Sequence, residues 1–205
     1  MKNIIILAII GVIVYHNFFK TEEQIDYSTA SLRPETVVLA FGDSLTYGTG
    51  AGKESSYPSQ LSKMIGLPVI NAGVPGEITE QGLARLPKVL DQYKPTLLLL
   101  CHGGNDILQH LNLEKTKENI EQMINLAQAR GITVILIGVP QWSGLLVNTA
   151  SFYDEIANDT GVGYEDSVLF SIIIDSTIKN ERVHPNRTGY RIMAEKVRDT
   201  IFANY

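Results

Sequence analysis

Four short segments gather the residue types that acyl transfer uses: Gly42-Asp43-Ser44-Leu45-Thr46, Asn71-Ala72-Gly73-Val74-Pro75-Gly76-Glu77, Gly103-Gly104-Asn105-Asp106 and Val183-His184-Pro185-Asn186. A serine hydroxyl is a weak nucleophile until a neutral imidazole within hydrogen-bond reach takes its proton. Ser44 and His184 are therefore the candidate nucleophile and general base. The tetrahedral species formed by attack on a carbonyl carries an oxyanion, which preorganised N–H donors stabilise by about 3–4 kcal/mol each. Gly76, in a turn-rich segment, and the side-chain amide of Asn105 are the candidate donors.

These segments can cooperate only if the fold brings them to one place. Apolar runs at Val37–Phe41, Pro68–Ala72, Thr96–Cys101 and Ile132–Ile137 are too short for helices and rich in Val, Ile and Leu, as buried parallel strands are. A fifth strand is expected near Val162–Tyr164. Helices are expected at Tyr57–Ile65, Thr79–Tyr93, Thr149–Asp159 and Thr188–Phe202. Another runs from about Glu114 to Arg130, with Leu113, Ile120, Met123, Ile124 and Ala127 on one face and Gly131 as its C-terminal stop. Strand-helix alternation predicts a doubly wound α/β sandwich, in which ligands bind beyond the carboxyl ends of the strands. The first three segments each follow a strand. His184 precedes the last helix, so the chain can return it to the same edge.

Composition narrows the field. Seventeen Lys and Arg against 22 Asp and Glu give a net charge of −5, and no two basic residues adjoin, so the chain lacks the electrostatic footprint of a nucleic-acid binder. The single cysteine, Cys101, closes an apolar run; this excludes an intrachain disulfide and reads as a small buried hydrophobe. His16 and His110 lack partners at metal-ligand spacing, so no metal site is expected. Residues 1–20 contain the apolar run Ile4–Tyr15 behind Lys2, with no small-x-small cleavage site after it, and read as a membrane anchor more naturally than as a removed leader. Residues 21–35 are polar, ending in Arg33-Pro34-Glu35, and read as a linker; residues 36–205 form the globular domain, expected to be monomeric.

The four segments resemble the four sequence blocks of the SGNH hydrolases, also called GDSL esterases. Phe41-Gly42-Asp43-Ser44 matches the first block, Gly76 the second, Gly103-Gly104-Asn105-Asp106 the third and His184-Pro185-Asn186 the fourth, over roughly the last four-fifths of the chain. A lone Gly-Asp-Ser would carry little weight, whereas all four in order carry much. The stretch Gln81-Gly82-Leu83-Ala84-Arg85-Leu86-Pro87 is similar to that of the bacterial thioesterase, lysophospholipase and arylesterase branch, whose members act in the periplasm. The resemblance implies a three-layer α/β/α sandwich with a five-stranded, flavodoxin-like parallel sheet and no cofactor. It also implies a Ser44 nucleophile and an oxyanion hole made of the Ser44 N–H, the Gly76 N–H and the Asn105 amide. The chain departs from the family at one point: most members carry Asp three residues before the histidine, and this chain has Glu181. A carboxylate there accepts the imidazole Nδ1–H and fixes the tautomer, a role assigned to Glu181, with Asp175 or a backbone carbonyl as competitors.

The remaining residues bear on substrate. Ile107-Leu108 and the loop Gly138–Val147, with Trp142 and Leu145, would flank the cleft and suit an acyl or aryl group; Trp142 and Leu145 covering the sheet is the plain alternative. Asp43 and Asp106 read as braces of their own turns, and His102 as a structural histidine. Three functions stay open at this point. The first is hydrolysis of short or medium carboxylic esters, with thioesters and lysophospholipids included. The second is O-acetyl removal from envelope sugars, and the third is a tethered, non-catalytic binding module.

Overall fold

The computed structural model describes residues 32–143, 146–180 and 183–205, without the side chains of Trp142, Ser143 and Leu146. Strands β1 (Val38–Gly42), β2 (Val69–Gly73), β3 (Leu97–Cys101) and β4 (Thr133–Ile137) fall within one residue of the runs read from sequence. Strands β1 and β3 are buried at every position, which is why their sequences are continuous rather than alternating. After β4 the chain forms a hairpin, β5 (Pro140–Ser143) paired antiparallel with β6 (Leu146–Thr149), and later adds β7 (Gly163–Glu165) to the main sheet.

The main sheet has order β2-β1-β3-β4-β7 with every pairing parallel. This is the flavodoxin-like arrangement, whose order reverses between β1 and β3. Helix α1 (Ser44–Tyr47) leaves β1, α2 (Tyr57–Ile65) precedes β2, α3 (Thr79–Tyr93) follows it, and α4 (Gly104–Leu108) leaves β3. The later helices are α5 (Leu113–Gln128), α6 (Phe152–Thr160), α7 (Val168–Ile174) and α8 (Arg187–Asn204). Helices α2 and α8 pack together, and α5 packs against both α3 and α6. Side-chain caps set several starts: Ser56 caps α2, Asn112 caps α5, and Asn186 caps α8 by accepting from the N–H groups of Thr188 and Gly189.

Two expectations need correction, and one helix was not expected at all. The helix expected at Thr149–Asp159 begins at Phe152, because Thr149 pairs with Pro140 in the hairpin. Helix α5 stops at Gln128, short of Gly131, since Ala129 already caps it. Helix α7 was not anticipated: Val168, Leu169, Ile172 and Ile173 bury one face, yet the run Val-Leu-Phe-Ser-Ile-Ile-Ile has no polar face to show helical periodicity. Among the described residues, no helix is long and apolar enough to cross a membrane. The proposed anchor at residues 1–20 and most of the linker at 21–35 lie outside them.

Candidate active site

Ser44 is the first residue of α1, directly after the carboxyl end of β1 at the position where strand order reverses. Asp43 shapes this turn: its Oδ1 accepts the Leu45 N–H at 3.0 Å, so the carboxylate braces the turn, as expected from the sequence. His184 arrives 140 residues later, with its Nε2 2.9 Å from Ser44 Oγ. The loop that carries it is pinned on several sides. Asn180 N–H donates to His184 O at 3.0 Å, Asn186 N–H to Ile178 O at 3.0 Å, and Asn186 Nδ2 to Thr177 O at 2.9 Å. Tyr190 Oη reaches across to Thr49 O at 2.8 Å, tying α8 to the loop after α1.

The two residues expected to supply oxyanion donors lie in the loops after β2 and β3. Gly76 lies in the turn Val74–Glu77, closed by the Glu77 N–H on Val74 O at 3.2 Å, and has a φ of +81°. Asn105 sits in the first turn of α4 with Nδ2 3.0 Å from Glu77 O and 3.2 Å from Asp43 Oδ2. Both partners are acceptors, which assigns nitrogen rather than oxygen to that position. Asp106 next to it turns inward, accepting from Thr79 N (2.9 Å), Thr79 Oγ1 (2.5 Å) and Thr116 Oγ1 (3.3 Å), and so locks α4 to α3 and α5. His102 is fully buried, with Nε2 3.1 Å from Glu77 Oε2; it is structural rather than a cleft residue.

Burial is the main influence on Asp43 and holds its carboxyl above the ordinary range; the charge of His102, the Leu45 N–H and the charge of His184 oppose this, and Asp106 reinforces it. Cys101 is likewise buried, and desolvation pushes its thiol well above the usual value, so it is an inert core residue.

Around Ser44, Gly76, Asn105 and His184 lies a cleft of about 230 Å³, walled by Leu45, Leu108, Val139, Leu169, Ile173 and Val183. Of the pair Ile107-Leu108, Leu108 faces this cleft; Ile107 is only 7% exposed and packs in the core. Leu169 and Ile173 were missed from sequence because α7 itself was missed. Trp142 lies in β5, but its side chain is not described, and Leu145 and Glu181 are outside the described residues. Asp175, the competing carboxylate, accepts the N–H (2.8 Å) and hydroxyl (2.7 Å) of Thr177 and is held below its ordinary range by those two bonds. Among the described residues, no group of three or more His, Cys, Asp or Glu is placed to hold a metal ion.

The sequence profile of the GDSL-like lipase/acylhydrolase family matches residues 40–192. The chain belongs to that family. It is 27% identical over 165 residues to the thioesterase 1/protease 1/lysophospholipase L1 of Escherichia coli (strain K12), spanning 77% of this chain and 79% of that protein. Among solved structures, the SGNH-hydrolase family esterase AlinE4 is 30% identical, with 83% of this chain and 97% of that one aligned at a TM-score of 0.65. The esterase EstA from a Pseudoalteromonas species superposes at a TM-score of 0.72, over 82% of this chain and 97% of that one; at 24% identity it shows the shared fold. Both solved relatives are named as esterases, and this family member is a carboxylic-ester hydrolase.

Proposed function

We propose that this hydrolase cleaves short and medium acyl or aryl esters, thioesters and lysophospholipids included, through an acyl-enzyme on Ser44. The 2.9 Å approach of His184 Nε2 to Ser44 Oγ carries the reading. At that distance a neutral imidazole takes the hydroxyl proton as Oγ bonds to the carbonyl carbon, and then passes it to the leaving alkoxide or thiolate. Water repeats the cycle on the acyl-enzyme, with His184 again taking a proton and Ser44 leaving as the regenerated alcohol. Glu181, three residues upstream, is assigned the Nδ1–H of His184. The oxyanion is assigned to the N–H groups of Ser44 and Gly76 and the amide of Asn105. The apolar walls favour an acyl or aryl group over a sugar, and a cleft of about 230 Å³ is smaller than the roughly 300–1,000 Å³ of drug-sized ligand sites. Acyl groups of modest length suit it.

The test is a panel of nitrophenyl esters from acetate to long chains, run on wild type and Ser44→Ala with phosphonate labelling of the nucleophile. Labelling of wild type alone, with turnover abolished in Ser44→Ala and extending past acetate, is expected. Near-normal turnover by Ser44→Ala ends the serine mechanism, and acetate-only activity returns the sugar O-acetylesterase reading.

We infer an extracytoplasmic enzyme of a bacterial envelope, tethered through residues 1–20; the relatives named above with an organism come from bacteria. The support is the apolar run Ile4–Tyr15. Full-length protein sedimenting with membranes while residues 21–205 stay soluble and active is the expected result; full-length protein wholly in the soluble fraction refutes the tether.

A further inference from the structure

A buried charged cluster lies directly beneath the loop after β2, and the acyl-transfer chemistry does not use it. Glu77 is 6% exposed, and its carboxylate takes a two-pronged hydrogen bond from Arg85, Nε to Oε1 at 2.7 Å and Nη2 to Oε2 at 2.6 Å. His102 Nε2 lies 3.1 Å from the same Oε2. Because His102 Nδ1 accepts the Gly103 N–H at 3.1 Å, the ring proton sits on Nε2 and is donated to Glu77. Burial works against the Glu77 charge, but the hydrogen bonds from His102 and Arg85 outweigh it and hold the carboxyl below its usual range.

The surroundings are shaped for this cluster. Arg85 Nη2 also donates to Ala72 O at 3.1 Å, and the guanidinium lies 4.0 Å from the centre of the Phe41 ring. On α3, a Cβ added at Gly82 would come within 2.3 Å of His102 Nε2, so only glycine admits the imidazole there. Glycine inside a helix costs about 1 kcal/mol relative to alanine. Buried ion pairs are often no more stabilising than apolar residues of similar volume, so stability alone is a weak reason to keep Glu, Arg and His here.

The cluster reaches the active site through the main chain. In the turn Val74–Glu77, Pro75 fixes φ near −65° at the second position and Gly76 has φ +81° at the third, which together define a type II turn. Types I and II differ by rotation of the peptide between those two residues through roughly 180°. The N–H of that peptide is the Gly76 N–H, so turn type decides which way this donor points. Glu77 closes the turn with its N–H, and its carbonyl accepts from Asn105 Nδ2 at 3.0 Å. The other Asn105 hydrogen rests on Asp43 Oδ2 at the longer distance of 3.2 Å and is the one free to swing to an oxyanion.

We propose that Glu77, gripped by Arg85 and His102, is a positioning residue for the oxyanion hole: it holds the type II turn that aims the Gly76 N–H and sets the rotation of the Asn105 amide. The proposal rests on the serine mechanism above, and the experiment separates the two. Glu77→Ala and Arg85→Gln are each compared with wild type for kcat and KM on a nitrophenyl ester, per labelled active site, and for inhibition by a trifluoromethyl ketone that adds to Ser44. Losing one oxyanion donor costs about 10²–10³ in kcat, so loosening two should lower kcat roughly 10–100-fold. KM should stay within about twofold, ketone affinity should fall in parallel with kcat, and the double variant should be no worse than Glu77→Ala, because the pair acts as one unit. If Glu77→Ala does not fold, Arg85→Gln decides alone, since its side chain is partly solvent-exposed. Unchanged kcat and ketone affinity per labelled site, with only a lower Tm, overturns the proposal. Activity surviving Ser44→Ala overturns the mechanism beneath it instead.

Discussion

Asn105→Ala isolates the contribution of one donor, and the structure sets its size. The amide nitrogen serves two acceptors at rest, Glu77 O at 3.0 Å and Asp43 Oδ2 at 3.2 Å. Truncation therefore acts twice. In the transition state it removes a donor worth about 2.7–4 kcal/mol, or 10²–10³ in kcat. In the ground state it leaves two partly buried oxygens short of one hydrogen bond each, for about 1–3 kcal/mol of stability, equivalent to a Tm drop of roughly 2–12 °C in a domain of this size. KM should change little, because the oxyanion does not exist until attack. Asn105→Asp sharpens the test: it keeps the volume but places acceptors against Asp43 Oδ2 and Glu77 O, so it should lose more activity and more stability than alanine does. The assay is kcat and KM on a nitrophenyl ester, normalised to phosphonate-reactive Ser44, with thermal unfolding alongside. A loss confined to KM would make Asn105 a ground-state binder. An unchanged kcat with a lowered Tm would make it a structural bolt, and the hole would have to be built from backbone alone.

Two further outcomes follow from charge. Chiefly because of burial, Asp43 holds its proton more tightly when folded than the ordinary unfolded value of about 3.9. Below that value both states are protonated; as pH rises through it the unfolded chain ionises first, so stability falls until the folded carboxyl also ionises and then levels. Asp43→Asn should flatten this slope in urea unfolding series from about pH 3.5 upward, and parallel curves for variant and wild type would refute the account. Glu181→Gln should lower kcat by about 10–10³ by favouring the wrong imidazole tautomer, less than the roughly 10⁴ that the analogous Asp-to-Asn change costs a Ser-His-Asp protease, because a backbone carbonyl on the same loop can partly substitute. It should also move the acid limb of kcat/KM to lower pH, since a nearby carboxylate favours imidazolium; a crippling effect of Asp175→Asn in its place would reassign the third member.

What was legible in the sequence followed the physics of each element. Strands β1, β3 and β4 lie deep in the sheet, so burial writes itself as nearly continuous apolar runs, and their positions were read within a residue. The catalytic loops were legible for the opposite reason: turn residues and chemistry-bearing side chains cluster where strands end. Helix α7 was not, because Ile174 is 60% exposed and β-branched residues fill the segment, erasing the polar face that marks a helix. With it went Leu169 and Ile173 of the cleft wall. The Glu77–Arg85–His102 cluster was invisible as a unit, since its members come from a loop, a helix and the end of a strand; His102 alone reads as structural, and nothing in the sequence pairs it with Glu77 or Arg85. One trace was available: Gly82 interrupts an otherwise good amphipathic helix, and a glycine retained there points to a close neighbour, here the His102 ring.

A site that must stabilise a new negative charge is built over three buried carboxylates, Asp43, Glu77 and Asp106, at 2%, 6% and 3% exposure. Placed so, unpaired anions would oppose the oxyanion through a medium that screens poorly. Each is dealt with differently. Glu77 is matched by the Arg85 guanidinium and the His102 proton. Asp106 is saturated by Thr79 and Thr116. Asp43, which has no cation bonded to it among the described contacts, is driven by burial toward its neutral form. The carboxylates thus act as rigid acceptors that hold donors in place from below: Leu45 N–H beside the nucleophile, the Asn105 amide across from it, and Thr79 at the foot of the turn's helix. Each is paired, hydrogen-bonded or neutralised where it sits, and its geometry is passed on to the N–H groups proposed to form the oxyanion hole.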